Sequence, residues 1–187
     1  FSGGGATTFT TSNDAITFGT GTVQLSDAAD LTITSANGAV SVASVGGTTS
    51  EDITINAGTG TLAVGAIGNA DEINTVTLTG STITLSGDIT TSNAANNNVD
   101  INGAVVISGA VDIDTDTAGT DGTIDFSSTI VGDANNATTD NLTIDSGGST
   151  VTFNGTIGVA APIAGFNVNQ DGGNVCLLYT SPSPRDT

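Results

Sequence analysis

The chain has 187 residues, enough for one domain-sized unit. A formal charge of −18, with no His and a single basic residue, Arg185, repels phosphate backbones and anionic membrane surfaces and excludes nucleic-acid binding as an expectation. Charged residues are only 11% and aromatics 4%, yet the 36% hydrophobic content alternates with small polar residues, which argues for order rather than disorder.

A strand-like unit recurs along the chain. Its centres are Phe9, Ile33, Ile55, Leu78, Ile101, Ile124, Ile144 and Val168, with gaps of 24, 22, 23, 23, 23, 20 and 24 residues. The flanks are Thr8/Thr10, Thr32/Thr34, Thr54/Asn56, Thr77/Thr79, Asp100/Asn102, Thr123/Asp125, Thr143/Asp145 and Asn167/Asn169. Side chains alternate between the faces of a strand, so each centre points inward and both flanks outward. The residue two before the centre is again apolar at Leu31, Ile53, Val76, Val99 and Leu142; at the sixth unit it is Gly122, a departure.

A second strand follows each first one, at Val40/Val42, Leu62/Val64, Ile83/Leu85, Val105/Ile107 and Val151/Phe153. A third apolar position falls at Val45, Ile67, Ile89, Val111 and Ile157. Three short strands per unit leave no room for a helix. A near-constant period with like flanks over like flanks predicts an all-β fold. The expected form is a parallel β-helix, or β-solenoid, of about eight coils of roughly 22 residues over residues 1–175. At about 4.7–4.9 Å per coil the rod would be roughly 35–40 Å long. A β-sandwich also uses short strands, but gives no reason for a Thr-x-Thr-like pair to return at this interval.

Composition changes at Cys176. The segment 176–187, CLLYTSPSPRDT, holds the only Cys, Tyr and Arg. Read back into codons, it resembles a translated transposon-end sequencing adapter, and it is set aside from fold reasoning as a non-native tail. With it set aside, the chain offers no thiol for a disulfide or for catalysis. No run of 18 apolar residues predicts a membrane span, and no signal peptide is visible. The chain starts on Phe with the repeat already running by Phe9, so an internal fragment of a larger protein is expected. Coil ends at 1–8 and 170–175 would then present open sheet edges.

The one acidic cluster is VDIDTDTAGTDGTIDF, with Asp112, Asp114, Asp116, Asp121 and Asp125. Calcium takes six to eight oxygen ligands, which makes these five the Ca²⁺ candidates. The D-x-D-x-D opening is that of an EF-hand loop, but Thr117 stands where the turn Gly is needed and Thr123 where the bidentate Glu is needed. A simpler account is a strand whose inward residues are Val111, Ile113 and Thr115 and whose outer face is acidic. The nonapeptide of calcium-binding β-rolls is absent.

No other cofactor is expected. With no His, no Lys and no native Cys, a nucleophilic triad is ruled out, and no acid pair is marked by an apolar setting for glycoside hydrolysis. The chain is therefore read as a non-enzyme. The Thr-x-Thr arrays resemble those of ice-binding solenoids, although Asp100, Asn102, Asp125 and Asp145 interrupt them. Sequons at Asn136, Asn141 and Asn154 are expected by chance in a chain this rich in Asn and Thr, the runs Asn97–Asn98 and Asn135–Asn136 are read as turn chemistry, and the longer turns 92–98 and 133–141 are the loops most able to carry contacts.

The strings ITINAGTGTLAVGAIG (53–68), GTDGTIDFSSTIVG (119–132) and LTIDSGGSTVTFNGTIG (142–158) resemble the β-strand repeats of large bacterial exoproteins, related to filamentous haemagglutinin and to autotransporter passengers. The resemblance covers most of residues 9–170. It implies a right-handed parallel β-helix exported through an outer-membrane pore to the cell surface. It also implies a role in adhesion or biofilm, with a carbohydrate or protein receptor as partner and no membrane insertion. It carries no catalytic residue over. The expected function is a structural stalk segment of a secreted adhesin-like protein. The alternatives are a calcium-stabilised surface-layer or matrix protein, a carbohydrate-acting β-helix, or an ice-binding solenoid.

Overall fold

A computed structural model describes residues 1–48, 50–68, 73–91, 97–116, 120–135 and 138–178. Strands β1 (Thr7–Thr11) and β2 (Ile16–Gln24) form the first coil, and β3 (Leu31–Ser35) and β4 (Val40–Gly46) the second. The third uses β5 (Ile53–Asn56) and β6 (Thr61–Ile67), the fourth β7 (Val76–Leu85) and β8 (Ile89–Thr90), and the fifth β9 (Val99–Ile107) and β10 (Ala110–Asp114). The sixth holds β11 (Ile124–Phe126), β12 (Ile130–Gly132) and β13 (Asn141–Asp145). Then come β14 (Thr150–Phe153), β15 (Gly165–Asn169) and β16 (Asn174–Leu177).

Every pairing between these strands is parallel and joins one coil to the next, as in a β-solenoid with three faces. Among the described residues six coils carry strands on all three faces; a seventh has only the isolated Ile130↔Ile157 bridge on its second face, and β16 begins another turn. The expected eight full coils are thus about six.

The first face stacks β1, β3, β5, the start of β7, the start of β9, β11, β14 and β16. Its inner ladder runs Phe9, Ile33, Ile55, Leu78, Ile101, Phe126, Phe153 and Leu177. The first five centres stand where the sequence puts them. Beyond Ile101 the expectation is corrected. Ile124 pairs with Val99, so Phe126, not Ile124, continues the ladder. Ile144 and Val168 lie on the third face, above Ile113. Val151 and Phe153, read as a second strand, are first-face residues, while Ile157, read as a third position, bridges to the second face.

The cause is a change in coil length. The pairs Ile53↔Val76, Val76↔Val99, Val99↔Ile124 and Ile124↔Val151 place successive coils 23, 23, 25 and 27 residues apart. A fixed period therefore drifts onto a neighbouring face. Gly122, the departure at the sixth unit, is simply not in the strand.

The interior is a continuous aliphatic column. Leu31, Ile53, Val76, Val99, Ile124 and Val151 are all fully buried, and so are Ile33, Ile55, Leu78 and Ile101 beside them. Each such side chain removed from water contributes about 1.5–3 kcal/mol, which no single coil could gather alone. Polar side chains tie the corners. Asp52 N donates to Asp30 Oδ1 (2.9 Å), Thr75 N to Asp52 Oδ1 (3.1 Å) and Thr123 N to Asn98 Oδ1 (3.0 Å). Thr59 Oγ1 donates to Asn37 Oδ1 (2.7 Å), and Asn37 Nδ2 to Asn13 Oδ1 (2.8 Å). Corner glycines are needed where coils touch: Gly58 has φ +56°, and a Cβ there would lie 2.0 Å from Ala36 O.

β16 straddles the expected boundary at Cys176. Cys176 pairs with Thr152 and Leu177 with Phe153, and residues 179–187 lie outside the described residues. At this end Val175, Leu177 and Leu178 are exposed.

Candidate functional site

The acidic cluster is built on β10 and the turn that follows it. Val111, Ile113 and Thr115 are buried, and Asp112, Asp114 and Asp116 point outward, as the alternation requires. Thr115 is held inside by donating from Oγ1 to Gly122 O (2.8 Å). Asn97, 1% exposed, clasps the next segment by donating from Nδ2 to Thr115 O (3.0 Å) and Thr120 O (2.7 Å).

Four of the five predicted residues share this edge of the rod. Asp114 stacks in register on Asp145 of the next coil, and Asp112 N donates to Asp88 Oδ1 of the previous one (2.9 Å). Asp116 N donates to Asp114 Oδ1 (2.8 Å). Asp121 Oδ2 accepts from Gly148 N (2.6 Å). Asp116 and Asp121 meet over Gly147: a Cβ on Gly147 would sit 2.8 Å from Asp116 Cγ and 2.7 Å from Asp121 Cγ, and its φ is +51°. The fifth residue, Asp125, stands apart on the first face, stacked between Asp100 and Thr152.

Three neighbours escaped the sequence-level cluster. Asp88, Asp100 and Asp145 lie about one coil away in sequence and become adjacent only by stacking. A column-wise alignment at the true coil lengths would have found them. Their charges matter. Partial burial, then the charges of Asp114, Asp88 and Asp145, raise the Asp112 pKa above its ordinary value. Burial and then Asp125 raise that of Asp100. Asp116 is raised by desolvation, then by the charge of Asp121 and a hydrogen bond with its carboxyl group, then by Asp145 and Asp114.

Of the carboxyl oxygens here, Asp88 Oδ1, Asp114 Oδ1 and Asp121 Oδ2 accept from backbone N–H groups. Asp145 accepts from Gly147 N (3.2 Å) and Asn169 Nδ2 (2.7 Å). Among the described residues no three His, Cys, Asp or Glu side chains are arranged to hold a metal ion. Two further acids are wholly buried and serve turns. Glu51 accepts from Thr48 N (2.7 Å), Thr48 Oγ1 (2.6 Å) and Ser50 N (3.1 Å). Asp140 accepts from Gly109 N (2.8 Å) and Asp133 N (2.6 Å), tying two coils together.

Asn141 Nδ2 donates to Thr139 O (3.0 Å) and Asn154 Nδ2 to Phe126 O (3.1 Å), so both sequon amides are engaged in the fold. Asn136 and residues 92–96 lie outside the described residues. Among the described residues no helix is long and apolar enough to cross a membrane. Comparison with protein-family models, with curated proteins and with solved structures found no match to this chain.

Proposed function

We propose that this chain is a structural stalk segment of a secreted, adhesin-like bacterial surface protein. The observation that carries the reading is the parallel coil-on-coil stack: six coils present three strand-bearing faces to their neighbours, so length is gained by adding coils. The longer Asn-rich turns, 92–98 and 133–141 in the sequence, are the places where a carbohydrate or protein receptor would be met. The chain's low content of charged residues and the absence of Cys before 176 suit passage of an unfolded chain through an outer-membrane pore, followed by folding coil on coil outside. The resemblance of 53–68, 119–132 and 142–158 to exoprotein repeats supports the same reading.

The test is surface labelling of the source cells with antibody raised against the folded chain. Intact cells should label as strongly as lysed ones, and brief protease treatment of intact cells should remove the signal. Labelling only after lysis overturns the reading.

A further inference from the structure

We draw no further inference here: the strongest candidate, the exposed apolar end of the solenoid formed by Val159, Phe166, Val175, Leu177 and Leu178, carries nothing because nothing in the structure shows what covers it.

Discussion

Phe126 and Phe153 lie face to face, with ring centroids 5.3 Å apart and planes 8° from parallel. They occupy the same inward position of successive coils, directly above Ile101, and both are fully buried. Parallel in-register stacking places identical side chains over one another, and the flat rings fill the coils that have grown longer. Phe166 then closes on Phe153 edge to face at 5.6 Å.

Phe153→Ala should therefore cost about 3–5 kcal/mol, because it removes a buried ring and leaves a cavity between two coils. Denaturant unfolding measures it. Phe153→Leu should cost less than Phe153→Ala. Equal losses would mean that the aromatic pair is not packed as described.

Asp140 is a second fastener. Replacing it with Ala strands the N–H of Gly109, worth about 1–3 kcal/mol when left without a partner, while Asp133 N keeps its bond to Ile107 O (2.9 Å). Asp140→Ala should lower the unfolding midpoint clearly, and Asp133→Ala, whose side chain among the described residues binds only Asn135, should not. A neutral Asp140→Ala would remove this role.

Stability should rise on mild acidification. Asp100, Asp112 and Asp116 all have pKa values raised in the folded state, so the folded chain holds protons that the unfolded chain has lost. Above the folded values the ionised groups destabilise the fold. As pH falls through those values towards the ordinary carboxylate pKa of 3.8 the penalty is relieved, and below 3.8 these three contribute nothing further. Melting at constant ionic strength should show a higher midpoint at mildly acidic pH than at neutral pH. Asp100→Asn and Asp116→Asn should flatten that slope, and a lower midpoint in acid would contradict the assignment.

Chelation is expected to leave the melting midpoint unchanged, since among the described residues no three acids are arranged to hold a metal ion, and Asp88, Asp114, Asp121 and Asp145 each accept from a backbone N–H. A fall on adding chelator that Ca²⁺ reverses would instead place a cation at the Asp116–Asp121 corner. Asp121→Asn should then remove the calcium response.

The sequence by itself determined the class of fold. Inward aliphatic residues alternating with small polar ones, three strands to a unit and glycines between them can bury an apolar face only by stacking. The first five coils follow from their lengths alone. It also put Asp112, Asp114 and Asp116 on one outer face, because alternation in β10 leaves no other choice. What the tertiary structure decided is which face each later strand joins. All three faces carry the same alternation, so Ile124, Ile144 and Val168 look alike as centres. Only backbone pairing separates them, sending Ile124 to Val99 and Ile144 to Ile113. The same pairing brought Asp145 to Asp114 and parted Asp125 from Asp112, Asp114, Asp116 and Asp121, stacking it on Asp100 instead. Neighbours across coils are set by the length of every intervening turn, and those lengths become contacts only once the coils are closed.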